Sequence, residues 1–151
     1  MVNFVAMNEY VIKRAGSGDV DCIMRLLDCG REIMRSYGNF KQWPVGKPSR
    51  EAIEADVAAG NSYLVTCDDE PVATFAFIPG PDVTYARIYD GEWTDDSLPY
   101  YVIHRLAGIP SARGIMDAVM GYCKARCMSL RVDTHHDNRI MQHLLAKHGF
   151  A

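Results

Sequence analysis

The sequence predicts an α+β fold, a mixed α/β layer arrangement in which helices flank one sheet. Three observations predict it. An early strand precedes two amphipathic helical stretches, a hairpin of β-rich segments follows, and the last third alternates strand, helix, strand, helix. The hairpin pairs antiparallel. The strands over 101–107 and 130–134, joined by a helix, should run parallel through a right-handed crossover.

Tyr10-Val11-Ile12-Lys13-Arg14-Ala15 reads as the first strand, stopped by Gly16-Ser17-Gly18. Ser17 or Asp19 can cap the next helix, whose stripe of Val20, Ile23, Met24, Leu27, Ile33 and Met34 continues to Tyr37, with Gly30 a weak point midway. Residues 38–47 form a loop carrying Phe40 and Trp43. Pro48 and Ser49 start a second helix, stopped by Gly60-Asn61. Strands over 62–67 and 72–78 flank a turn at Asp68-Asp69-Glu70. Gly80-Pro81-Asp82 breaks the chain, residues 84–89 form a short strand or helical turn, and a polar loop surrounds Trp93. A helix over 115–127 and a final one over 138–147, closed by Gly149, complete the order.

At 151 residues the chain fits one domain, 1–151, able to bury a core without staples. A net charge of −3 gives no basic field for nucleic acid, and no run of about 18 apolar residues can span a membrane. The start lacks a signal-peptide pattern, so a cytoplasmic location is expected. Five cysteines, Cys22, Cys29, Cys67, Cys123 and Cys127, lack any C-x-x-C pair and read as reduced packing thiols.

The segment from Gly108 to Cys127 holds the clearest chemical signal. A strand ending in Ile109-Pro110-Ser111-Ala112-Arg113-Gly114 opens directly into a helix. The first N–H groups of such a helix have no intrahelical acceptor, and the helix dipole adds about half a positive charge there. Gly114 permits close approach of a phosphate and Arg113 adds a cation. An ordinary turn is the plainer reading of the same residues.

Ile103-His104-Arg105-Leu106-Ala107, Arg113-Gly114 before a helix, Leu130-Arg131-Val132-Asp133-Thr134-His135, Asp137-Asn138, Met141-Gln142 and Gly149-Phe150 occur in that order. Their order and spacing resemble a bacterial branch of the GNAT superfamily of N-acetyltransferases, from about Tyr10 to the end. The resemblance implies a GNAT-like acyl-CoA N-acyltransferase fold, with a mostly antiparallel sheet, a splayed parallel strand pair and flanking helices. It implies acetyl-CoA as cosubstrate, its pyrophosphate on the backbone of Arg113, Gly114, Ile115 and Met116. The pantetheine arm would lie along Leu106, Ala107 and Gly108, with Asn138 near the thioester end. Two departures stand out. The phosphate loop reads Ser111-Ala112-Arg113-Gly114-Ile115-Met116, with Ser111 and Met116 where the family has a cation or amide and a small residue. The family tyrosine that protonates the departing thiolate falls at Leu145. In the family pattern, Gly149-Phe150 leads into further strands, so the domain is expected to be one or two strands short, by trimming or with an edge covered by a partner chain.

Acetyl transfer to an amine needs the free base, so a proton acceptor is sought. His104, on the strand beside the expected thioester, His135, at the end of the next, and Glu92, in the preceding loop, are the catalytic candidates. Strand alternation places His104 and Arg105 on opposite faces. The plainer reading pairs Arg105 or His104 with Asp133. Tyr37, Phe40, Trp43 and Trp93 would line the acceptor mouth, or else pack as a lid or at a homodimer contact. His135, His136 and His143 lack a helical H-x-x-x-H spacing or a nearby thiolate, so no metal is expected. The partner expected is a small-molecule or peptide amine, with no nucleic acid and no membrane. The alternative is a non-catalytic GNAT-like module that binds CoA or another protein.

Overall fold

Short β-rich runs build the strands, and their order in the sheet follows the chain. The computed structural model describes residues 9–36, 38, 48–80, 100–127 and 129–132. Its strands are β1 (Val11–Arg14), β2 (Ser62–Cys67), β3 (Glu70–Pro79), β4 (Tyr101–Gly108) and β5 (Leu130–Val132). They form one sheet in the order β1-β2-β3-β4-β5. The first three pairings are antiparallel and β4–β5 is parallel, with Tyr101, Val102 and Ile103 opposite Leu130, Arg131 and Val132. The helices are α1 (Val20–Ser36), α2 (Arg50–Ala58) and α3 (Ile115–Lys124). The α+β fold and the parallel crossover read from the sequence are both present.

Each face of the sheet has its own core. Tyr63, Val65, Phe75, Phe77 and Ile103 pack against Met116, Val119, Met120 and Cys123 of α3. Leu64 and Ala107 pack instead with Ile23 and Leu27 of α1 and Ile53 of α2. The switch between Leu64 and its two neighbours is the period-two rule of a strand buried on both faces. Thr74, buried in the middle of this sheet, donates its hydroxyl to Tyr63 O at 2.9 Å and so leaves no orphaned polar group.

Boundaries differ from the sequence reading in three places. Gly30 does not interrupt α1; it is buried on the inward face of a continuous helix. The hairpin turn is two residues, Asp68 and Asp69, both left-handed at φ 51 and 66, so β3 begins at Glu70. That geometry matches the twist of the flanking strands, and Asp tolerates it better than most residues. The helix α3 ends at Lys124, where Ala125 caps it, so Cys127 lies beyond it and its thiol donates to Cys123 O at 3.2 Å.

All five cysteines are free, but only Cys123 is fully buried. Burial pushes its thiol up to about 12, which makes it an inert packing group at neutral pH. No described helix is long and apolar enough to cross a membrane.

Candidate active site

The loop after β4 leads directly into the first turn of α3. Ile109 N–H continues the β3–β4 ladder by donating to Val72 O at 2.9 Å, and Ala112 N–H folds back to Ile109 O at 3.3 Å. Gly114 then opens α3 in the left-handed region, φ 76, with no side-chain cap. Ala118 N–H makes the return bond to Gly114 O at 3.2 Å, so the N–H groups of Ile115, Met116 and Asp117 come before that bond. An added Cβ at Gly114 would meet, among the described residues, only the Tyr10 ring at 3.9 Å, an ordinary contact. The Tyr10 hydroxyl donates to the Arg113 carbonyl oxygen and holds that peptide in place. Met116 does not crowd the loop, because its side chain is buried in the core beneath α3. Asp117, exposed in the first turn, is the one acidic group there and offsets part of the positive end.

A second glycine brings the helix close to the strand. A Cβ on Gly108 would lie 2.7 Å from Ile115 Cδ1 and 3.2 Å from both Ala73 Cβ and Val72 O. The last residue of β4 is therefore small because α3 starts directly against it.

Within β4 the register shifts. Thr74 pairs with Ala107 and Ala76 with His104, so three steps on β4 match two on β3. The extra residue is a bulge, and Arg105 takes it up at φ 54. A bulge breaks the simple alternation on which the expected opposition of His104 and Arg105 rests. Arg105 Nη1 lies 2.9 Å from Asp56 Oδ2 on α2, and Asp56 also feels His104. Arg105 thus pairs with Asp56 of a helix; Asp133, the partner expected from the sequence, lies outside the described residues. Burial raises the Asp56 carboxyl above the usual carboxylate range, against the pull of Arg105 and then of His104.

Sequence reasoning missed Asp56. The signal was present, because Asp56 falls between Ile53 and Val57 on the inward side of α2. A carboxylate at such a spacing asks for a cation, and β4 supplies one.

Of the expected site residues, Leu106, Ala107, Gly108, Arg113, Gly114, Ile115 and Met116 form one continuous strand–loop–helix passage, with His104 just before the bulge. On the β5 side, pairing within the described residues covers only 101–103, and β4 runs on to Gly108. His135, Glu92, Asn138, Tyr37, Phe40, Trp43, Trp93 and Asp133 lie outside the described residues. Among the described residues no group of three His, Cys, Asp or Glu could hold a metal ion.

No family model and no curated protein matches the chain. Solved structures do. An acetyltransferase of the GNAT family from Streptococcus agalactiae is 30% identical, with a TM-score of 0.84, over 94% of this chain and 85% of that chain. The chain belongs to the GNAT acetyltransferase family. A GNAT-family acetyltransferase from Listeria monocytogenes shares the fold at a TM-score of 0.72 and 13% identity, over 94% of this chain and 86% of that one. An aminoglycoside N-acetyltransferase solved in complex with CoA shares it at 0.60 and 13%, over 95% and 88%. The five-stranded mixed sheet described for this GNAT chain, with its parallel β4–β5 pair and flanking helices, agrees with those neighbours.

Proposed function

We propose that this GNAT-family chain transfers the acetyl group of acetyl-CoA to a primary amine of a small molecule or peptide, directly, in a ternary complex. The observation that supports it best is the uncapped start of α3, opened by left-handed Gly114 immediately after β4. The N–H groups of a first helical turn, an open glycine and the positive end of a helix suit a pyrophosphate. Arg113 supplies a cation beside it. Among the neighbours, the aminoglycoside enzyme with CoA and another acetyltransferase in complex with sisomicin support a small-molecule amine as acceptor.

When bound, acetyl-CoA supplies an acyl carbon activated as a thioester. Arg113, Gly114, Ile115 and Met116 hold the phosphates, Leu106, Ala107 and Gly108 lie along the pantetheine arm, and Asn138 lies near its thioester end. A backbone N–H near Ala107 donates to the thioester carbonyl, where negative charge develops. A lysine-like amine with pKa near 10.4 is neutral in only about one molecule per thousand at pH 7. His104 takes a proton from the attacking amine as the C–N bond forms and returns it to the sulfur as the C–S bond breaks, so that CoA leaves as the thiol. His135 and Glu92 are the other groups proposed for this role. Tyr37, Phe40, Trp43 and Trp93 align the acceptor, so that proximity supplies much of the rate.

Incubation with acetyl-CoA and a panel of amines, read as thiol release and as acetylated amine by mass, tests the reading. Thiol release that depends on the amine is expected. Acetyl-CoA binding with no release for any amine would leave a silent CoA-binding module instead. In His104→Gln, kcat at neutral pH should fall by about 10²–10⁴ with KM for acetyl-CoA steady. An unchanged kcat moves the base to His135 or Glu92.

A further inference from the structure

A bulge residue at positive φ is most often glycine, and β4 has arginine there, at φ 54. An L-residue in that region tends to return to the extended conformation, which would straighten β4 and slide its last residues against β3. A second group must hold it. The Arg105 guanidinium reaches Asp56 Oδ2 at 2.9 Å, with side-chain exposures of 28% and 14%. Asp56 is itself tied down. Its helix is seated by buried Ile53, and its carbonyl accepts from Asn61 N–H at 2.9 Å. The carbonyl of Asn61 in turn accepts from Phe77 N–H at 2.8 Å, on the strand that faces the bulge. The carboxylate and the bulge are therefore referenced to the same strand, β3.

We propose that Asp56 is a positioning residue that clamps Arg105 in its left-handed conformation and so fixes the β4 bulge. The bulge backbone leads directly into Leu106 and Ala107, and His104 precedes it. Its catalytic consequence rests on the function proposed above: with the bulge released, the N–H near Ala107 and the His104 imidazole no longer share one geometry. The clamp acts through backbone shape, so glycine at position 105, which takes this φ without help, should make the carboxylate dispensable.

Amide hydrogen exchange on the full chain, with acetyl-transfer kinetics beside it, tests this in five proteins: wild type, Asp56→Ala, Arg105→Met, Arg105→Gly and Asp56→Ala with Arg105→Gly. Exchange at residues 104–107 should quicken about ten-fold in Asp56→Ala and Arg105→Met, the scale set by one left-handed L-residue. Arg105→Gly should exchange more slowly than Arg105→Met, and the double variant more slowly than Asp56→Ala. Turnover should follow the same order, with kcat reduced about ten-fold or more in the first two variants and KM for acetyl-CoA little moved. Equal loosening of Arg105→Gly and Arg105→Met, or a double variant as loose as Asp56→Ala, overturns the clamp and leaves only a charge effect. The Met and Gly variants decide the matter even if Asp56→Ala does not fold. A wild type that fails to turn over acetyl-CoA would sink the proposed function, while the exchange pattern still tests the clamp.

Discussion

At φ 54, Arg105 holds a conformation that costs an L-residue roughly 1–2 kcal/mol. Its ion pair with Asp56 need not return that amount as stability, because withdrawing a carboxylate from water is itself costly. The direction of the Asp56 shift says which effect wins. Burial raises its pKa above the ordinary 3.8, so the folded chain binds the Asp56 proton more tightly than the unfolded chain does. Asp56's contribution to stability is therefore fully present below 3.8 and is lost as pH rises through its folded-state value. Urea unfolding of wild type and Asp56→Asn from pH 3 to 7 checks this. The stability of wild type relative to the variant should decline as pH rises; a rise instead would mean that the attraction of Arg105 outweighs burial.

At the scale of elements, short sequence signals set the ends that matter. Ser49 caps α2 by accepting from Ala52 N–H at 3.2 Å, and α2 carries Asp56 to β4. Ser49→Ala should cost about 1 kcal/mol in urea unfolding. No change there would mean that tertiary packing alone holds this helix start. The contact between β4 and α3 depends on an absent side chain. In Gly108→Ala the new methyl meets Ile115 Cδ1, a movable tip, but also the Val72 carbonyl and the Ala73 methyl. The expected loss is about 1–3 kcal/mol, from overpacking, measured by thermal or urea unfolding. A variant as stable as wild type would show that α3 can shift outward freely.

Across the whole molecule, the readable parts were those with a local cause. β-rich runs bounded by turn residues announced β2, β3 and β4, Ser49 and Gly60 bracketed α2, and Gly114 marked the start of α3. The strand–loop–helix passage could be located because a glycine stands at its strand–helix junction. The bulge could not, since Arg105 takes the angle through a partner 49 positions away. Strand alternation therefore sent His104 and Arg105 to opposite faces and overlooked Asp56. The spacing of Asp56 with Ile53 and Val57 marks it as inward-facing, but not which strand supplies its cation.

The central claim is that the start of α3 binds the phosphates of acetyl-CoA, and thermal unfolding with ligand tests it most directly. At about 100 times the dissociation constant, acetyl-CoA should stabilise the wild-type chain by about 2.7 kcal/mol. Dephospho-CoA should stabilise it less and ATP least, and Gly114→Val, strained at φ 76, should remove the acetyl-CoA effect. No shift with acetyl-CoA in the wild type, or an undiminished shift in Gly114→Val, would contradict the account.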